Sequence, residues 1–104
     1  MKPLRLHGAA EREIDGALGW YEARSPSVAA RFAAAVSTYL ELIDLGLAPL
    51  HRIPPPHDRL GARRLLIRGF PYQIVVFESR SKRIVLAVSH QSRRPGHWAD
   101  RIEA

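Results

Sequence analysis

Basic side chains crowd the second half of the sequence, and their types and spacing offer the clearest route to chemistry. They form three successive groups: Arg63, Arg64 and Arg68; then Arg80, Lys82 and Arg83; then His90, Arg93, Arg94, His97 and Arg101. Arginine makes planar, bidentate contacts with carboxylate and phosphate groups, so each group suits an anionic partner. If neighbouring strands pair in order, Arg64 or Arg68 could share one end of a sheet with His90, which could then act as general acid or base on a phosphodiester. A solvated basic rim is the alternative interpretation.

Other residues that often carry chemistry are poorly spaced for it. Of the five histidines, His51 and His57 flank a proline-rich loop, and no pair has the i, i+4 spacing of helical metal ligands. The absence of cysteine excludes disulfides, thiolate metal sites and a cysteine nucleophile. No glycine-rich phosphate loop of the Walker or dinucleotide type occurs in the sequence. We therefore expect no metal and no cofactor.

Carboxylates and hydroxyls in the basic half are equally unpromising for catalysis. Glu78 is the only acid within the predicted strands of that half, and one carboxylate cannot perform the two-carboxylate mechanism of glycosidases. Ser89 and His90 are neighbours on a predicted strand, so their side chains point to opposite faces. A hydrolase site is therefore not expected at this position.

Hydrophobic periodicity predicts a short strand followed by two helices in the first half. Alternation at residues 4–6 is typical of a strand, and apolar residues recur at helical spacing over residues 9–24 and 25–45. Ser25 suits an N-cap, and Pro26 suits the first position of a helix. Because the connection is short, we expect the two helices to form an antiparallel hairpin.

The second half changes from helical to strand periodicity. Residues 47–61 are rich in proline and predict a loop, and residues 62–68 are compatible with a strand. Two strong strands follow at residues 72–78 and 83–90, separated by a short turn. Residues 91–104 form a polar, basic tail.

These elements predict an α+β fold with the order β-α-α-β-β-β. A single domain over residues 1–104 would contain an antiparallel sheet with the N-terminal helical hairpin packed on one face. Both strong strands are apolar on both faces, so something in this chain or in a partner must cover the other face. Trp98 stands in the polar tail, and we expect it to dock back on the sheet or to meet a partner.

Composition and charge narrow the classes of function. A chain of 104 residues can bury one core. It shows neither a membrane-spanning apolar run nor the apolar core of a signal peptide, so we expect a cytoplasmic protein. The net charge of +6 is uneven: residues 1–49 carry five basic and six acidic side chains, and residues 50–104 carry eleven and four. A basic second half predicts an anionic partner, either nucleic acid or an acidic protein.

Four segments, in order along nearly the whole chain, form a recognisable pattern. They are Trp20-Tyr21-Glu22 with Ser25-Pro26 and Ala30-Arg31-Phe32; Arg63-Arg64-Leu65; Phe70-Pro71-Tyr72-Gln73-Ile74-Val75-Val76-Phe77; and Ala87-Val88-Ser89-His90 with Arg93, Arg94, Pro95, Gly96 and Trp98. The third and fourth segments together are the most specific. This pattern resembles the RelE/ParE superfamily, the small basic toxins of bacterial type II toxin–antitoxin modules.

The resemblance implies a fold and a partner. Members share the β-α-α-β-β-β arrangement, and an acidic antitoxin wraps its C-terminal segment around the toxin. The residues expected to contact the antitoxin are Arg63, Arg64, Arg68, Val75 and Phe77. Opposite charges on the two proteins would also speed their association. Contact with DNA is expected only through the antitoxin, and contact with membranes is not expected.

The resemblance leaves three functions open. ParE-like members poison DNA gyrase by binding it, RelE-like members cleave mRNA on the ribosome, and a non-toxic relative would only bind its antitoxin. No tyrosine follows Tyr72, which counts against the best-known set of ribonuclease residues, whereas the ending around Arg94, Pro95 and Trp98 is more ParE-like. The resemblance therefore favours inhibition of gyrase.

The two toxic alternatives assign different residues. Inhibition of gyrase requires no catalytic residue in this chain, and it places the expected target contacts at Arg83, His90, Arg93, Arg94 and Trp98. An endoribonuclease would instead use Arg64, Arg68 and His90 as its catalytic set.

Overall fold

The computed structural model describes residues 2–103 as two helices, five strands and two short 3-10 turns. The elements are β1 (Leu4–Leu6), α1 (Gly8–Glu22), α2 (Pro26–Asp44), β2 (His51–Arg52), β3 (Ala62–Leu66), β4 (Tyr72–Glu78), β5 (Arg83–His90) and 3-10 turns at His57–Leu60 and Ala99–Glu103. The predicted α+β class, with the helical hairpin before the main strands, is confirmed. None of the described helices is long and apolar enough to span a membrane.

Local capping explains where the helices begin and end. The Ser25 hydroxyl accepts a hydrogen bond from the Val28 amide at 3.4 Å, as an N-cap does, and Pro26 occupies the first turn. Gly46 follows α2 with φ +74°, a conformation that glycine adopts without steric cost. At α1 the cap is His7, whose Nδ1 accepts from the Ala9 amide at 3.0 Å. Both helices lie within two residues of the predicted bounds.

The sheet has the strand order β1-β5-β4-β3-β2 and is mixed. The pairs from β2 to β5 are antiparallel, but β1 pairs with β5 in parallel, with Leu4 opposite Arg83. The prediction of a wholly antiparallel sheet is therefore wrong for this pair. The two strands are joined not by a hairpin but by a long crossover that includes both helices, and such a connection permits parallel pairing.

The predicted loop over residues 47–61 contains a strand that the sequence did not indicate. His51 and Arg52 of β2 pair with Arg64 and Arg63 of β3, and they extend the sheet at its far edge. A strand of two exposed residues has no periodicity to detect. By contrast, β4 and β5 have the predicted bounds, because long apolar alternation and a turn define both.

One side of the sheet, which we call the helix face, packs against α1 and α2. Its core includes Phe32 and Val36 from α2 and Ile74 from β4, each at most 4% exposed. The Phe32 ring lies 5.2 Å from the rings of both Phe70 and Tyr72, centroid to centroid, in edge-to-face contacts. This face is the main hydrophobic core.

The opposite side, which we call the second face, has a smaller core of its own. Its buried residues are Ile53, Ala62, Val75, Ile84, Leu86, Ala87 and Trp98. Val75 pairs with Ala87 and Val76 pairs with Val85, which leaves Leu86 as the extra residue of a β-bulge. Leu86 and Ala87 therefore both pack in this core. The cover that the two-sided apolar strands required comes from the chain itself.

Candidate functional site

The second face is closed by residues 91–103, which we call the C-terminal segment. Trp98 is 2% exposed and packs among the apolar side chains of the second face, with Ala99 and Ile102 beside it. Of the two outcomes expected for Trp98, docking on the sheet or contact with a partner, the structure shows the first. Because its side chain is buried, Trp98 offers no direct contact surface to a target in this conformation.

A carboxylate on α1 holds the C-terminal segment in place. Arg101 donates to both oxygens of Glu13, at 3.0 and 3.1 Å, and to the Leu86 carbonyl at 2.9 Å. Glu13 also accepts from the backbone amide of Val88 at 3.1 Å. Since β1 pairs with β5 only as far as Val85, these bonds satisfy the part of the β5 edge that β1 leaves open.

Two more basic side chains surround the same carboxylate. The Arg93 guanidinium lies 3.6 Å from Glu13, and His97 Nε2 lies 3.8 Å from it. Burial lowers the pKa of His97, and the charges of Arg93 and Arg101 act in the same direction, against the Arg94 carbonyl and Glu13, which raise it. His97 Nε2 is buried without a hydrogen-bond partner in the described part of the chain. His97 is therefore neutral near pH 7 and contributes packing to the segment.

A pocket of about 290 Å³ opens on the second face between the C-terminal segment and the proline-rich loop. Its walls are Ile53, Pro54, Pro55, His57, Arg64, Leu66, Gln73, Gln91, Arg93, Pro95, Gly96 and Trp98. Arg64 Nη1 donates to Gln73 Oε1 at 3.2 Å, so the two polar side chains from β3 and β4 are joined at the pocket wall. Gly96, with φ +78°, lies so close to His57 that a Cβ would overlap the imidazole.

His90 lies on the helix face, away from that pocket. Its ring makes an edge contact with Tyr72 at 5.3 Å, in a cleft of about 360 Å³ that Trp20 and Tyr21 also line. Tyr72 and His90 are paired residues, whereas Gln73, the next residue on β4, lines the second face with Arg64. Alternation along the strands therefore puts Arg64 and His90 on opposite faces of the sheet.

The proposed ribonuclease set is consequently not assembled. Arg68 is exposed beyond the end of β3, where its backbone amide donates to the Tyr39 hydroxyl at 3.4 Å. The prediction was that Arg64 or Arg68 shares one end of the sheet with His90. Arg64 does not join His90, because alternation places the two on opposite faces. Arg68 does lie at the His90 end, since the Ile67 amide before it donates to the carbonyl of Tyr72, the residue paired with His90.

Arg83, predicted as a target contact, binds within the chain. Its guanidinium donates to Glu78 at 2.8 and 3.1 Å and to the carbonyls of Ile43 and Asp44 at the C-terminus of α2. The hydrogen bonds from Arg83 lower the pKa of Glu78 against the effect of burial, and Lys2 at 3.3 Å adds to the lowering. Arg83 thus ties α2 to the β4–β5 hairpin.

The remaining predicted contacts differ in accessibility. Val75 is fully buried in the second-face core, so it cannot touch an antitoxin without rearrangement, and Phe77 is half-buried. Arg63, Arg93 and Arg94 are exposed. Arg63 and Arg94 are available to a partner, whereas Arg93 is half exposed and lies beside Glu13.

Sequence reasoning missed the central role of Glu13. Glu13 lies three residues after Ala10 and four before Ala17, both of which are buried on the inner side of α1. An acid on that side needs a basic partner, and this spacing was the available signal. Its partner Arg101 is 88 residues away in sequence, so local reasoning could not identify it.

Comparison with a solved structure defines the class of fold. The structure titled "Chromosomal ParDE TA system from P. aeruginosa" is similar with a TM-score of 0.69 and 17% sequence identity, covering 86% of this chain and 96% of that chain. At that identity the likeness shows the fold alone, a small α+β domain of the ParE type.

Sequence comparison gives the family. The profile described as "ParE toxin of type II toxin-antitoxin system, parDE" matches residues 4–95. The chain therefore belongs to the ParE toxin family of type II toxin–antitoxin systems, which confirms the resemblance read from the four sequence segments. A comparison with curated proteins gave no match.

Proposed function

We propose that this chain is a toxin that inhibits DNA gyrase by binding it, and that an acidic antitoxin neutralises it in the cytoplasm. The main support is the separation of Arg64 and His90 on opposite faces of the sheet. General acid–base catalysis requires its groups within hydrogen-bond reach of one reacting centre. Separated groups favour action by binding over action as a ribonuclease.

The C-terminal segment supplies the proposed surface for gyrase. Glu13 and Trp98 fix the backbone of the segment, while Arg93 and Arg94 remain exposed on it. A segment that is already ordered loses little conformational entropy when it binds a partner. His90 lies beside the segment but on the helix face, so we expect it to contribute less than the two arginines.

The antitoxin is proposed from charge and exposed apolar area. The chain carries +6, and large apolar side chains are exposed at Trp20 (53%), Leu47 (68%) and Leu66 (51%). Exposed apolar side chains on a positively charged protein suit an acidic, amphipathic partner segment. Binding would bury the apolar side chains of both proteins, and the opposite charges would speed association.

Expression from a tightly repressed promoter tests the proposal. We expect growth arrest with trapped gyrase cleavage complexes, relief on co-expression of the antitoxin, and no change with His90→Ala. Arrest with intact gyrase activity and cleaved mRNA, abolished by His90→Ala, would establish the ribonuclease alternative instead. No arrest by a soluble, folded chain would indicate the non-toxic relative.

A further inference from the structure

The pocket on the second face is lined by Arg64, whose surroundings differ from those of the other partly buried arginines. Three arginines are partly buried in the described chain: Arg64, Arg83 and Arg101. Arg83 binds Glu78 and Arg101 binds Glu13, each at 3.0 Å or less. Arg64 has no described carboxylate within 4.0 Å, and its recorded side-chain hydrogen bond goes to the neutral amide of Gln73. Partial burial of a guanidinium is unfavourable when no described anion balances its charge, so Arg64 would gain from binding one.

The residues that line the pocket indicate which kind of anion could bind Arg64. The described residues that line the pocket are all neutral or basic. Gln73 and Gln91 add two side-chain amides to its wall, and that of Gln73 is bonded to Arg64. Ile53, Leu66 and the proline pair Pro54–Pro55 make the rest of the wall largely apolar. A volume of about 290 Å³ suits one or two side chains rather than a nucleic-acid strand.

We propose that this pocket binds the carboxylate of a glutamate or aspartate side chain in an acidic partner peptide, with Arg64 as the bidentate donor. The inference rests on the proposed function, because the antitoxin would supply that peptide. The exposed Leu66 (51%) at the pocket wall would receive an apolar residue next to the acid. The other arginine that lines the pocket, Arg93, already lies beside Glu13. The pocket therefore offers one guanidinium, that of Arg64, for a bidentate contact with a single carboxylate. A nucleic-acid strand would need several such cations in a row to contact successive phosphates.

Nuclear magnetic resonance titration of the full chain with small probes tests the site directly. The probes are an N-acetylated, C-amidated Leu-Glu-Leu tripeptide, its Leu-Gln-Leu counterpart, inorganic phosphate and a short single-stranded RNA. We expect the glutamate peptide to shift the signals of Leu66, Gln73 and Gln91 and the side-chain signal of Arg64. Equal shifts with the glutamine peptide, shifts located elsewhere, or stronger binding of phosphate or RNA would overturn the proposal.

Variants of Arg64 distinguish the effect of its positive charge from that of its planar, bidentate guanidinium. Arg64→Met should abolish the shifts, and Arg64→Lys should restore them only in part, because lysine keeps the charge without the planar fork. Arg52→Met is the matched control, since it removes an exposed arginine of the adjacent strand β2 that does not line the pocket and should change nothing. Preserved binding in Arg64→Met, or equal loss in Arg52→Met, would contradict the assignment.

The purified antitoxin gives the second measurement. Arg64→Met should weaken its affinity about 10–100-fold, the range expected for a lost charge-assisted hydrogen-bond pair. If wild type binds the antitoxin and Arg64→Met binds equally well, this inference fails while the proposed function stands. If wild type binds no antitoxin, the proposed function fails, and the tripeptide titration still decides whether the pocket takes a carboxylate.

Discussion

The two faces of the sheet are covered in different ways. The helix face lies under α1 and α2, which form one continuous core with the sheet: α1 supplies Ala10 and Ala17, and α2 supplies Phe32, Val36 and Ile43. The second face lies under a proline-rich loop and the C-terminal segment, which contribute chiefly Ile53 and Trp98. Two long helices cover the helix face, whereas the cover of the second face is held mainly by the Trp98 indole and the Glu13 carboxylate. We therefore expect the helix face to dominate the stability of the fold, and the cover of the second face to open at a smaller energetic cost.

The largest effect should come from the helix face. Phe32 is fully buried and contacts three aromatic rings, so Phe32→Ala should destabilise the whole chain by about 3–5 kcal/mol. Denaturant unfolding measures the change, with the neighbouring exposed Arg31→Ala as control. A loss below about 1 kcal/mol would mean that the helix face is not the dominant core.

Removing the indole of the second face should have a smaller and more local effect. Trp98→Ala should cost about 3 kcal/mol, and it should release the C-terminal segment while the helix-face amides remain protected from hydrogen exchange. The half-exposed Trp20 gives the matched control, because Trp20→Ala should change stability by no more than about 0.5 kcal/mol. Equal loss of protection on both faces would show that they unfold as one unit.

The carboxylate that holds the segment comes next. Glu13→Gln keeps the shape but removes the charge that faces Arg93 and Arg101, and it should weaken docking of the segment by about 2 kcal/mol. Exchange rates of amides in residues 91–103 measure that docking. Glu11→Gln, an exposed change in the first turn of α1, is the control and should leave those rates unchanged.

Mild acid should have the smallest effect, and it should weaken only the docking of the C-terminal segment on the second face. The charged groups around His97 are Glu13, Arg93 and Arg101, and burial leads in lowering the pKa of His97 below its ordinary value of 6.5. The docked segment thus binds fewer protons than the released one, so docking is complete above that value and weakens as the pH falls below it. Amide exchange followed from pH 7.5 to 5 measures this, each rate corrected for its intrinsic pH dependence.

A histidine replacement identifies the group responsible. His97→Asn should remove the pH dependence, and His51→Asn, an exposed change on β2, should retain it. Tighter docking at low pH would contradict the sign of this prediction.

The same contrast explains how far the sequence could predict the structure. The helices, β4 and β5 follow from periodicity and capping, as Ser25 illustrates, and the need to cover the second face follows from strands that are apolar on both sides. The cover itself depends on contacts between distant residues, such as Glu13 with Arg101, and no local pattern reports those. Position along the strands suggests that Arg64 could lie near His90, but side-chain alternation puts the two on opposite faces. The structural role of Arg83 is equally hidden in the sequence, because its contact with the end of α2 spans some 40 residues.

The most direct test of the whole account is a DNA gyrase supercoiling assay with three purified proteins: wild type, Glu13→Gln and Glu11→Gln. If the docked C-terminal segment forms the gyrase-binding surface, wild type and Glu11→Gln should inhibit supercoiling equally. Glu13→Gln should inhibit it about tenfold more weakly, because a segment that must be ordered on binding loses affinity. Full inhibition by Glu13→Gln, or none by wild type, would contradict the account.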